Sequence, residues 1–141
     1  MGSKKVDKSA SVSAEKSKKK VLVHVLKPRL NVKGATLVKE IYQTMLDEVM
    51  STNNFSLLIN NPVSIRAAKV KFIEIHSEIK KNNNNLFSVG VYLADGNTGN
   101  VISQKELKNM PEVRVRYFIR KSLRSLLYEK KLNKRLSSEN F

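Results

Sequence analysis

Seven residues near the end of the chain, Tyr117, Arg120, Lys121, Arg124, Tyr128, Lys131 and Arg135, recur at three- and four-residue spacing. At about 100° per residue, that spacing puts them on one side of a helix. Five cations and two aromatic rings in a row make a positive strip, suited to holding polyanions rather than to breaking bonds. Guanidinium groups fork onto phosphate oxygens, and tyrosine rings either stack on unpaired bases or pack against the arginine stems. Arg114 and Arg116 stand at the start of the same segment and Lys134 near its end, while Lys18, Lys19 and Lys20 form a second basic cluster. These residues are the predicted nucleic-acid contacts.

Other chemistry finds little support in the residues. Glycines at 34, 90, 96 and 99 form neither GxGxxG nor GxxxxGK[ST], so no phosphate-cradling loop is legible. His24 and His76 are the only imidazoles, there is no HExxH, and there are no cysteines, so neither a zinc site nor a thiolate or disulfide is expected. Glu74, His76 and Glu78 alternate along one strand face, which reads as a solvated face rather than an acid-base pair. His24 reads as a hydrogen-bonded core histidine. The sequence therefore predicts a non-enzymatic binding protein with no metal and no cofactor.

The distribution of charge points the same way. Lys and Arg number 27 against 12 acids, a net charge of +15, divided as +5 over residues 1–20, +3 over 21–104 and +7 over 105–141. Charge concentrated at both ends suits phosphate neutralisation, with DNA or RNA as the partner and affinity falling as salt rises. A second reading makes the chain an assembly subunit whose basic helix docks on an acidic protein. No apolar run approaches the length of a membrane span, and the basic N-terminus lacks an apolar core segment. A cytoplasmic or nucleoid-associated location follows, with the periplasm as the alternative if a signal peptide was removed.

The elements that must position these residues can be taken in order. Residues 1–20 hold seven Lys and five Ser with only Asp7 and Glu15, and are predicted to be a disordered tail. Val21 to Leu26 is a continuous apolar run, expected as a strand buried on both faces. A helix follows from about Ala35 to Ser51, with Leu37, Val38, Ile41, Met45 and Val49 inward. Phe55 to Ile59 reads as a short strand, and Val63 to Ala68 is ambiguous, short for a helix and irregular for a strand. From Lys69 to Ile79 the pattern is a strand whose apolar phase slips between Phe72 and Ile73, which suggests a bulge. Phe87 to Leu93 alternates cleanly, Asp95 to Asn100 is a turn, and Val101 to Gln104 returns antiparallel. The last helix starts after Pro111, with Val115, Phe118, Ile119, Ser122, Leu123 and Leu126 inward. Its apolar stripe lapses after Leu127, so its last two turns are expected to project.

The fold class expected is α+β: a two-layer α/β sandwich with a mostly antiparallel sheet, two helices on one face, and a disordered basic N-terminal tail. One domain spans 21–136, and residues 137–141 form a second tail. At 40% hydrophobic and 6% aromatic residues, the core should be built of Leu, Ile and Val.

Two stretches carry a family resemblance. Leu37 to Leu58, LVKEIYQTMLDEVMSTNNFSLL, and the segment Val70 to Gln104 with its VYLADGNTGNVISQ hairpin are similar to the small α/β domain of three related groups. These are the curli-secretion lipoprotein family, its penicillin-binding-protein activator relatives, and the amino-terminal domain of TolB. The helix usual between FSLLI and the hairpin is replaced here by the short Asn60 to Ala68. The resemblance implies the same fold from Val21 to Leu127, and a periplasmic accessory or pore-forming role. The segment VRVRYFIRKSLRSLL also resembles the closing basic segment of bacterial histone-like proteins.

Overall fold

The computed structural model describes residues 20–58, 61–129 and 132. Six strands and three helices follow one another among them. They are β1 (Val21–Val25), β2 (Arg29–Leu30), α1 (Ala35–Met50), β3 (Phe55–Leu57), α2 (Pro62–Ala67), β4 (Phe72–Lys81), β5 (Phe87–Asp95), β6 (Val101–Met110) and α3 (Glu112–Leu127). The strands form one mixed sheet in the order β3-β1-β4-β5-β6, with β2 also pairing with β4. β1 is parallel to both β3 and β4, and β2 is parallel to β4. The long β4, β5 and β6 are an antiparallel meander. The result is the α+β sandwich anticipated from the sequence.

One face of the sheet is apolar and carries α1 and α3. Val23, Ile73, Ile75, Ile79, Val91 and Leu93 point to it from the strands, and Ile41, Met45 and Val49 of α1 with Val115, Ile119, Leu123 and Leu126 of α3 close the layer. Each of these side chains is essentially inaccessible, and each adds about 1.5–3 kcal/mol of apolar transfer free energy. The inward stripe of α3 is the one its spacing predicts.

Four details depart from the sequence expectations. β1 alternates buried and half-buried residues, so it is covered fully on one face only. α2 is a short helix where no element was assigned; Asn61 caps it by accepting from the Val63 amide at 2.8 Å, and Pro62 opens it with a preset φ. There is no bulge at Phe72: Phe72 pairs with Leu22 in regular register, and Ile73 pairs with Val23 and Asp95. Phe72 simply belongs to the second face of the sheet, where it is fully buried because that face is covered locally. The irregularities of register lie instead between β5 and β6, at Phe87/Val89 and Leu93/Ala94.

The cover over Phe72 is built by α2 and the β5–β6 turn. Arg66 lies 5.4 Å over the Phe72 ring, and the Gly96 amide donates to the Phe72 carbonyl at 2.9 Å. A Cβ at Gly96 would meet the ring at 2.2 Å, so only glycine lets the turn descend this far. Asp95 holds the turn by accepting from the Asn97 and Thr98 amides at 2.8 and 3.2 Å, and Gly99 takes the positive φ of 83° that the reversal needs.

α3 ends at Leu127, with Tyr128 as its C-cap. The two further turns expected to project lie largely outside the described residues. Leu132, described beyond the helix, is fully buried in the same core cluster.

Candidate interaction surface

The residues predicted as contacts divide into three groups. Arg114, Arg116, Tyr117, Arg120, Lys121, Arg124 and Tyr128 are all exposed on α3 or its cap, and Lys20 is exposed ahead of β1. Lys18, Lys19, Lys131, Lys134 and Arg135 lie outside the described residues.

The seven on α3 do not form one free strip. Arg124 reaches across to α1, where its Nε and Nη2 donate to the Glu48 carboxylate at 2.9 and 3.3 Å. Glu48 is only 5% exposed, so this cation serves an internal partner. The hydrogen-bonded carboxylate raises the Arg124 pKa further above its ordinary value. Lys121 stands 5.5 Å over the Tyr117 ring, so that ring carries a cation from its own helix.

Arg116 and Arg120 turn towards α1 and line a groove between the two helices. Leu37, Val113 and Tyr117 give it an apolar floor, and Glu40 and Glu112 line it beside the arginines. Val113, Arg116, Tyr117 and Arg120 follow the i, i+3, i+4, i+7 spacing of one helical face. No carboxylate lies within ion-pair distance of Arg116 or Arg120 among the described residues. The groove is thus amphipathic and of mixed charge.

A second polar cluster occupies the face of the sheet opposite the helices. Glu74, 8% exposed, accepts from Arg66 Nη2 at 2.7 Å, and its other oxygen lies 3.1 Å from His76 Nε2. The Arg66 Nε donates to the Gly96 carbonyl at 2.7 Å, which ties α2 to the hairpin turn. His76 stacks on Tyr92 with ring centroids 4.6 Å apart and planes 3° from parallel. His24 Nδ1 is 3.9 Å from Glu74 and has no hydrogen-bond partner. Burial holds the His24 pKa below the usual histidine value; Glu74 opposes this, while Arg66 and His76 add to it. Glu74 is therefore not on a solvated face, and His24 is not the hydrogen-bonded core histidine expected from its run. Among the described residues no group of three or more His, Asp or Glu is arranged to hold a metal ion.

Sequence reasoning missed Glu48, Glu40, Leu37 and Val113 as parts of the α1–α3 surface. Glu48 did leave a signal. It falls at an inward angle of α1 beside Met45 and Val49, and a carboxylate there needs a cation from a neighbouring element.

By sequence the chain matches no family model and no curated protein. Its structure is similar to TolB from Acinetobacter baumannii, with a TM-score of 0.52 and 14% identity over 78% of this chain. The chain spans 29% of that TolB chain's length. It is also similar to the PelC dodecamer from Paraburkholderia phytofirmans, with a TM-score of 0.52 and 12% identity over 80% of this chain and 91% of that one. The LpoB C-terminal domain from Salmonella enterica is similar at a TM-score of 0.47 and 13% identity, over 72% of this chain and 91% of that domain.

The chain has a TolB-like fold. This is the fold that the helix and hairpin segments implied, and identities this low speak to fold alone. The nucleic-acid-binding expectation is corrected: the structures this chain resembles in fold, TolB and the PelC dodecamer, are not nucleic-acid-binding proteins. The geometry gives the physical reason. One arginine of the strip is paired with Glu48, Lys121 stands over the Tyr117 ring, and Glu40 and Glu112 line the groove beside Arg116 and Arg120, so the surface is not uniformly positive. No helix among the described residues is long and apolar enough to cross a membrane.

Proposed function

We propose that this chain is a non-enzymatic accessory domain of a bacterial cell envelope that works by binding other proteins. The observation that carries the reading is the shared fold: the same arrangement of sheet and helices accounts for 91% of PelC, a protein that assembles as a dodecamer. An envelope location, in place of the cytoplasmic or nucleoid-associated one, goes with that likeness. The surface of α3 fits a protein partner better than a phosphate backbone, because Arg116 and Arg120 share their groove with Glu112, with Glu40 of α1 and with exposed Val113 and Tyr117.

The Arg66–Glu74–His76 cluster supports the non-enzymatic part of the reading. Its groups are spent on one another and on Gly96, where they fasten α2 to the sheet. The test is fractionation of source cells carrying a tagged chromosomal copy. Recovery with envelope or periplasmic markers, and cross-linking to another envelope protein, is the expected result. Recovery wholly with cytosolic markers overturns it.

A further inference from the structure

The groove between α1 and α3 has the composition of a docking site with one part missing. Val113 is 85% exposed and Tyr117 52%, one helical turn apart, and Leu37 continues their apolar surface onto α1. A valine left this bare on a helix whose other aliphatic residues are buried is unspent apolar area. The ring beside it is held in place by Lys121. Arg116 and Arg120 flank this floor without an ion-pair partner, although Arg124, on the same side of the helix, has found Glu48. Pairing is thus complete at one end of the α1–α3 seam and open at the other.

We propose that the groove seats an acidic segment of a partner protein, one apolar side chain lying on Val113 and Tyr117 and its carboxylates meeting Arg116 and Arg120. This rests on the protein-binding reading above and names its surface. Charge complementarity selects the occupant. The chain carries +15, so a second copy approaches against its own charge, and the Lys-rich residues 1–20 bring further positive charge rather than the negative charge the arginines require. Glu40 and Glu112 confine the acidic partner's contacts to the arginine side, which sets its register and disfavours a uniform polyanion.

The experiment is an amide NMR titration of the full chain with short synthetic peptides: Asp/Glu-rich with a central Phe, the same peptide with Ser for Phe, and polyglutamate. A DNA duplex is titrated in parallel. The Phe peptide is expected to shift the amides of Val113, Arg116, Tyr117, Arg120 and Leu37 saturably, and the Ser peptide and polyglutamate to bind more weakly. Reversing Arg116→Glu with Arg120→Glu should weaken the Phe peptide about tenfold, as two partly screened pairs would. Val113→Asp should weaken it comparably. Lys105→Glu with Lys108→Glu, the same change of charge on the exposed edge of β6, should cost no more than about twofold. All these side chains are exposed, so circular dichroism should show an unchanged fold.

Equal losses from the two double reversals would reduce the effect to net charge and overturn the proposal. So would shifts confined to other surfaces, tighter binding of the duplex at the same amides, or a free chain whose self-association is abolished by Val113→Asp. Because the titration uses purified protein, it fails or succeeds independently of where the chain resides in the cell.

Discussion

Arg124 of α3 and Glu48 of α1 meet across the helix seam in a two-point hydrogen bond, 2.9 and 3.3 Å long, although the sequence separates them by 76 residues. Only the carboxylate is buried, and the guanidinium keeps most of its surface in water. Such a pair does more for the position of the helices than for stability in itself, but removing the cation leaves a buried charge uncompensated. Arg124→Ala should therefore lower the melting temperature by several degrees, whereas Arg120→Ala, which strands no buried carboxylate, should change it by no more than about one degree. Thermal unfolding by circular dichroism checks both. Replacing Glu48 and Arg124 together by Met should recover most of the loss.

His24 makes stability depend on pH. Its pKa is depressed in the folded chain, so between the unfolded value, about 6.5, and the lower folded value the unfolded state binds more protons. Its contribution is then fully present above that range and is lost as pH falls through it. The charged and titratable groups that face it are Arg66, Glu74 and His76. Urea unfolding at a series of pH values should show His24→Asn retaining more of its neutral-pH stability than the wild type as pH falls from 7 to 5.

Gly96 is fixed by the ring beneath it. Gly96→Ala drives a Cβ into the Phe72 side chain, whose atoms lie 2.2 to 2.4 Å from the ideal position. The expected destabilisation is about 1–3 kcal/mol, the range for overpacking a close-packed site. Adding Phe72→Leu to Gly96→Ala should restore part of it, and chemical denaturation of the single and double variants decides the point.

Leu132 is a core residue beyond the end of α3. It is fully buried in the core, so Leu132→Ala should cost about 2–5 kcal/mol, as for other large-to-small core substitutions. Leu107→Ala, half-exposed on β6, is the control and should be nearly neutral.

Much of the fold was legible because period and burial agree. The inward stripe of α3 and the alternation of Phe87 to Leu93 each face one core, and each appears as spaced. Phe72 misleads because a phase argument assumes one buried face; the second is created by Gly96, distant in sequence, together with Arg66. The lapse after Leu127 marks the end of the helix, and nothing in the spacing singles out Leu132 as the buried residue that it is. At the surface, the outward position of the cations could be seen, but not their partners. Arg124 and Arg120 look alike in the sequence, and only the packing of α1 against α3 gives one of them a carboxylate.

The outer margin of the sheet bears on how such a chain behaves when crowded. β6 has a neighbour on one side only among the described residues, and every residue from Gln104 to Asn109 is exposed, with Lys105, Glu106 and Lys108 among them. A bare strand of this length is a template for fibrils, but frequent charge along it makes further strand addition unfavourable. Concentrated chains should therefore remain discrete and soluble instead of polymerising through their sheets.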